Sequence, residues 1–289
     1  MLALDLLARY LTSHPYGVAA STEVQLRCTW RAYLRESRTA GLEAFDCARV
    51  NDWLDELRET RAPDTVRTQR GNLLVVWWWA YREGLVDEPP LRVRKLRPVS
   101  RSPQAWTLDE VRTLIAAAER DPLRPLWWSS LIRCGYDTAL RLGDLLKLRR
   151  EAIADTLEIR QGKTGRLVAV RLRPETLGVL RRHLGHPASS PLCWPLWGRR
   201  EAFYRGFRGV VARSGVRPGT FRWLRRSAAT QLEREQPGRG TELLGHASRR
   251  TTEAWYLDRS QLGSAPLPPW CSTCRQTSSS STGFTSRPF

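Results

Sequence analysis

Apolar side chains recur every three to four residues through most of the chain, the spacing that gathers them on one face of an α-helix. In Ser21–Glu36 the stripe is Val24, Leu26, Trp30, Tyr33 and Leu34, and in Ala48–Thr60 it is Val50, Trp53, Leu54 and Leu57. A longer helix is predicted over Pro63–Tyr81, with Asp64 as N-cap and a stop at Gly84. Together with the leading segment MLALDLLARYL, these helices can bury their stripes against one another as a small bundle.

The helical pattern lapses over Leu91–Pro103, which holds four Arg, one Lys and no acid. Such a basic stretch reads either as a solvated hinge or as a connector that tracks a phosphate backbone. The pattern resumes at Thr107, where Glu110 three residues on completes a capping box and starts a helix through Ala118. Leu126–Ala139 is apolar and Trp-rich, the signature of a buried helix. Over Leu157–Leu172 the period drops to two. Leu157 and Ile159 precede a Gly-Lys-Thr-Gly turn, and Leu167, Val168, Val170 and Leu172 follow it, predicting a β-hairpin with Lys163 at its tip. Helical spacing returns from Pro174, broken by a Pro/Trp loop at His186–Gly198. It includes Gly219–Glu233, where Thr220 is the expected N-cap and Leu224, Ala228 and Leu232 the buried stripe.

These elements predict a mainly α fold with a small β-sheet. The expected divisions are a helical domain over residues 1–97, a basic linker over 98–106, an α+β domain over 107–259, and a Ser/Pro-rich, disordered tail over 260–289.

Charge narrows the class of partner. The 289 residues carry 47 Lys plus Arg against 29 Asp plus Glu, a net charge of +18. That excess implies a polyanion, and nucleic acid leads because no polybasic run stands beside an apolar anchor. The first residues are too short and too interrupted by Asp5 and Arg9 for a signal peptide or membrane span, so an intracellular, non-membrane protein is expected. Of six cysteines, only Cys271 and Cys274 form a C-x-x-C, without a second pair at zinc-ribbon spacing. Thirteen tryptophans, several adjacent (Trp77–Trp79, Trp127–Trp128), point to thick helix packing rather than base stacking.

Candidate chemistry centres on the helix after Gly219. Arg222 and Arg225, three apart, share a face and can present two permanently charged planar forks to one phosphate, although a solvated basic face has the same pattern. Arg141 lies just before a helix beginning near Gly143–Asp144, with Asp144 placed to accept from and orient its guanidinium. Lys163 tips the hairpin, His246 follows a helix-breaking Gly in TELLGH, and Tyr256 lies one turn into a helix capped by Thr251 or Thr252. Each has an ordinary structural explanation alone.

Taken in order, TALRLGDLLKL, LRRSAATQL and LLGHASRRTT resemble the tyrosine recombinase (phage integrase) family, a likeness covering roughly residues 20–258. VVWWWAYREGLVDEPP is similar to the last helix and exit turn of that family's helical core-binding, SAM-like domain. The resemblance implies a C-shaped clamp on double-stranded DNA that cleaves and rejoins strands without cofactor or metal. Arg141 and Arg225 would bind the scissile phosphate, Lys163 would protonate the leaving 5′-oxygen, His246 would hydrogen-bond the phosphate, and Tyr256 would be the nucleophile. It further implies a homo-tetramer on two DNA sites in a prokaryotic, nucleoid-associated, cytoplasmic setting. Two positions depart from the pattern. Arg222 stands where the family has His, so that position can stabilise charge but cannot act as a base. Tyr256 is one residue beyond the usual spacing from His246, which falls on Trp255, and one residue turns a helical side chain by about 100°. A catalytically degenerate DNA-binding relative therefore remains open, as does a type IB topoisomerase, against which the core-binding domain and linker argue.

Overall fold

Four helices carry the apolar stripes of the first hundred residues: α1 (Ala3–Thr12), α2 (Ala20–Glu36), α3 (Cys47–Thr60) and α4 (Pro63–Arg82). The structure is a computed structural model describing residues 2–14, 17–97, 102–185 and 190–262, so Cys271, Cys274 and most of the expected tail lie outside it. The described residues divide into two compact units between Arg101 and Ser102. The first unit closes around Trp30, Tyr33, Trp53 and Trp77, with Leu6, Leu7, Leu26 and Leu54 filling the gaps. Their polar tips stay bonded. Tyr33 donates to the Ala44 carbonyl at 2.6 Å, Trp53 to Glu36 at 2.7 Å, and Trp77 to the Glu88 carbonyl at 2.7 Å.

Two local expectations change. The N-cap of α4 is Ala62 rather than Asp64, because Pro63 takes the first helical position, where its fixed φ and missing N–H cost nothing. Residues 91–97, basic enough to read as part of a hinge or connector but within the expected 1–97 domain, are strapped to the first unit. Val93 is buried, Asn51 bonds the Arg92 carbonyl and the Arg94 N–H, Arg70 bonds the Val93 and Arg94 carbonyls, and Arg94 pairs with Asp55. Basic composition signals solvent, but an extended backbone with unpaired polar groups takes whatever partners lie beside it.

The second unit contains α5 (Leu108–Glu119), α6 (Pro125–Thr138), the one-turn α7 (Leu142–Leu145), β1 (Thr156–Arg160), β2 (Leu167–Arg171), α8 (Pro174–Leu184), α9 (Arg200–Ser214), α10 (Arg222–Glu235), α11 (Arg239–Leu244) and α12 (Arg249–Trp255). The Thr107–Glu110 capping box forms as its sequence requires. Strands β1 and β2 make the antiparallel hairpin, Leu157 opposite Val170 and Ile159 opposite Val168. The core is aromatic. Trp127, Trp128, Trp194, Phe203, Phe207 and Phe221 pack between α6, α9 and the start of α10, which settles the tryptophan doublet at 127–128 as packing.

Candidate active site

Burial of Phe221 decides where α10 starts. Its ring lies against Phe203 and Phe207, so Phe221 takes the N-cap position without a capping side chain. Thr220, the expected cap, contributes only its carbonyl, which accepts from the Trp223 N–H at 2.8 Å. Arg222 then opens the helix exposed, and Arg225 one turn later is 3 % exposed.

Arg225 is held by neutral acceptors. Nη1 donates to the Ala139 carbonyl, and Nη2 donates to the Leu244 carbonyl at 2.8 Å and meets His246 Nε2 at 3.2 Å. Ala139, the C-cap of α6, reaches that geometry with φ +48, a left-handed conformation costing an L-residue about 1 kcal/mol. Arg225 Nε is buried with no partner among the described residues.

Arg141 is the N-cap residue of α7, and its Nη1 donates to Gln161 Oε1 at 2.6 Å. This corrects the part expected of Asp144. Its Oδ1 accepts instead from the Gly162 N–H at 3.0 Å, since the hairpin tip folds over α7 and takes the carboxylate first. Lys163, exposed at that tip, faces the same cavity as Arg141.

The α11 helix ends at Gly245 with φ +62, where a Cβ would sit 2.8 Å from Val168 and 2.9 Å from Gln161. Only glycine allows that approach, which lays Leu244–His246 against the hairpin. His246 Nδ1 meets Thr252 Oγ1 at 3.0 Å. Because a guanidinium can only donate, Nε2 is the acceptor from Arg225 and Nδ1 carries the proton. Burial, and then the charges of Arg225, Arg141, Arg166 and Arg222, push the imidazole pKa down to about 4.

The one-residue offset of Tyr256 is absorbed at a helix end. Tyr256 is not one turn into α12 but just past it, with φ −128, and the Tyr256 and Leu257 N–H groups both donate to the Thr252 carbonyl. Leaving the helical path swings Tyr256 inward to 8 % exposure while Trp255 stays 45 % exposed. The Tyr256 ring meets His246 edge-on at 4.6 Å, and the Arg222 and Arg225 guanidinium carbons each lie 5.1 Å from its centroid. Burial raises the phenol pKa, but Arg225, Arg222 and Arg141 together outweigh it, so the net shift is downward.

Arg141, Lys163, Arg222, Arg225 and Tyr256 thus line one cavity of about 480 Å³, with His246 behind Arg225 and Tyr256. Tyr204 also opens on it, but the Arg222 and Arg225 guanidiniums lie over Tyr256. Sequence reasoning missed Gln161 and the Thr252 contact to His246. The signal for Gln161 was its place beside the Gly-Lys-Thr-Gly turn, where a side chain must face either solvent or the site.

A family model described as the phage integrase family matches residues 104–262. Tyrosine recombinase XerD of Listeria innocua serovar 6a is 24 % identical over 217 residues, covering 68 % of this chain and 73 % of its own. Among solved structures, a lambda integrase dimer bound to a COC′ core site superposes with a TM-score of 0.74 at 20 % identity, covering 93 % of this chain and 81 % of the other. A lambda integrase tetramer bound to a Holliday junction gives 0.70 at 21 % identity, covering 86 % and 78 %. No helix among the described residues is long and apolar enough to cross a membrane.

Proposed function

Because the chain belongs to the phage integrase family, we propose that it is a site-specific recombinase that breaks and rejoins duplex DNA with Tyr256 as nucleophile. In this reading residues 1–97 grip the DNA and 107–259 carry out the chemistry, as a tetramer on two sites at the prokaryotic nucleoid. The observation that carries it is the Tyr256 phenol, buried against Arg222, Arg225 and His246 with its pKa lowered.

The scissile phosphate enters the cavity with its non-bridging oxygens toward Arg141 and Arg225, the two arginines that line it from the α7 and α10 sides. The Tyr256 oxygen attacks phosphorus as its proton leaves to solvent, since Arg222 cannot take it. The bond to the 5′-oxygen breaks, Lys163 supplies that oxygen with a proton, and the DNA is left joined to the protein as a 3′-phosphotyrosine. Fixed cations stabilise the charge that develops on the phosphoryl oxygens. The link keeps the energy of the broken ester, so attack by another strand's 5′-hydroxyl reverses the step. His246 bonds the phosphate by exchanging tautomers. If Thr252 turns its hydroxyl to donate to Nδ1 and Arg225 Nη2 gives up Nε2 for the phosphate, Nε2 carries the proton and faces the anion.

The test is a nicked suicide substrate carrying the protein's own site, which traps the cleaved state. Wild type accumulates covalent protein–DNA and Tyr256→Phe does not. Equal behaviour of the two would leave a DNA-binding relative without strand-transfer activity.

A further inference from the structure

Gln161 closes the hairpin that bears Lys163. Its N–H donates to the Arg166 carbonyl and its carbonyl accepts from the Gly165 N–H, both at 2.8 Å. The side chain, 1 % exposed, turns inward. Oε1 accepts from Arg141 at 2.6 Å and from the Thr164 hydroxyl at 3.1 Å, and Nε2 donates to the Leu244 carbonyl at 3.1 Å. That carbonyl also receives Arg225 Nη2. One amide therefore joins the two arginines that flank the cavity, through a single shared carbonyl, and ties both to the lysine hairpin.

The chemical identity of this link matters. Arg141 is a half-buried cation that needs an acceptor to fix its fork, and a carboxylate would be the strongest one. A carboxylate there would also cancel the charge and compete with the phosphate for the guanidinium. An amide orients without neutralising, and its N–H₂ supplies the donor that Leu244 requires, which a carboxylate lacks. We infer that Gln161 is a positioning residue for strand cleavage, aligning Arg141 with Arg225 toward the phosphate while leaving both charges available. This rests on the recombinase reading above.

The test compares Gln161→Glu with Gln161→Met on the nicked substrate, together with DNA affinity. A purely structural amide would tolerate Glu, its near-isostere, better than Met. Charge-sparing alignment requires the opposite order. Cleavage should fall about 10-fold in Gln161→Met, a displaced-arginine loss, and about 100-fold or more in Gln161→Glu, with binding within about threefold of wild type in both. A second substrate carries a methylphosphonate at the scissile position, where one charged oxygen is replaced by methyl and less neutralisation is needed. On it the Gln161→Glu deficit should shrink below about 10-fold relative to wild type. The inference is overturned if Glu is as active as Met or better, if its deficit is the same on both substrates, or if both variants lose DNA binding. Absence of adduct from wild type on the nicked phosphodiester substrate would instead defeat the recombinase reading itself, a separable outcome.

Discussion

The cavity has an inner wall and an outer rim, and they hold their cations differently. Arg225 and Arg222 are three residues apart on α10 and stack on the same tyrosine at the same 5.1 Å. Arg225 is 3 % exposed and bonded to two backbone carbonyls and an imidazole, whereas Arg222 is in water, as is Lys163 at the hairpin tip. Burial, set against the Tyr256 phenol, which raises it, and Arg141, which lowers it, brings the Arg225 pKa down to about 10, still charged at neutral pH. Among the described residues, the groups that accept hydrogen bonds from Arg141 and Arg225 are neutral: the Ala139 and Leu244 carbonyls, the Gln161 amide and the His246 ring. A buried charge normally takes a counter-ion. Here the nearby carboxylate, Asp144, raises the Arg225 pKa through its charge but gives its Oδ1 to the Gly162 N–H rather than to either guanidinium, so direct ion pairing is left to the ligand, the phosphate in the recombinase reading. The rim needs no such restraint, because water screens its charges and lets long side chains move.

The largest expected effect breaks the wall. Lysine at 225 keeps one positive charge but has no planar fork to span Ala139, Leu244 and the site together. Arg225→Lys should lower cleavage of the nicked substrate at least about 100-fold, roughly 2.7 kcal/mol of transition-state stabilisation. A loss under about fivefold would show that charge alone suffices and that the fixed geometry of the wall is incidental.

A middle-sized effect reads the wall's field through stability. The folded-state pKa of His246 is about 4, below its unfolded value of 6.5. Between those values the unfolded chain binds a proton that the folded chain excludes, so stability rises with pH across that window and falls as pH drops through it. A full shift of that size would be about 3 kcal/mol, and partial solvent contact reduces it to roughly 1–2 kcal/mol. Denaturant unfolding at pH 7 and pH 4.5 should show wild type losing that much more than His246→Asn. Equal losses would mean that burial and the surrounding arginines do not set the imidazole's charge.

Wall and rim also differ in how far the sequence revealed them. Side-chain type and order brought out Arg141, Lys163, Arg222, Arg225, His246 and Tyr256 only together with the resemblance to a family, since 47 Lys plus Arg leave many candidate cations, and the structure gathers the six around one cavity. The helical stripes and the period change at the hairpin gave the elements because burial imposes periodicity. What escaped was the choice among neighbouring partners. Asp144 and Gln161 both had the chemistry to hold Arg141, and the hairpin tip, unreadable as a three-dimensional neighbour, claimed the aspartate. Thr220 had the composition of a cap, yet the aromatic pocket around Phe221 moved the helix start by one residue. The offset of Tyr256 looked like a defect in spacing, whereas a helix that ends at Trp255 makes spacing within the helix irrelevant.

The smallest effect tests the rim at its most unusual residue. Arg222→His installs the side chain that the family resemblance implies for this position. If Arg222 acts only as a rim cation, the substitution removes one of three charges that lower the Tyr256 phenol pKa, while Arg225 and Arg141 remain in place. The phenol then ionises at higher pH, so the rising limb of the cleavage–pH profile should move upward. At pH values above that limb, the rate should stay within about threefold of wild type, since screened, exposed charges contribute little each. Single-turnover cleavage of the nicked substrate from pH 6 to pH 10 measures both. A loss beyond about 30-fold at every pH, with the limb unmoved, would mean that Arg222 grips the phosphate itself and belongs with Arg225 and Arg141, so that the division between wall and rim would have to be redrawn one helical turn further out.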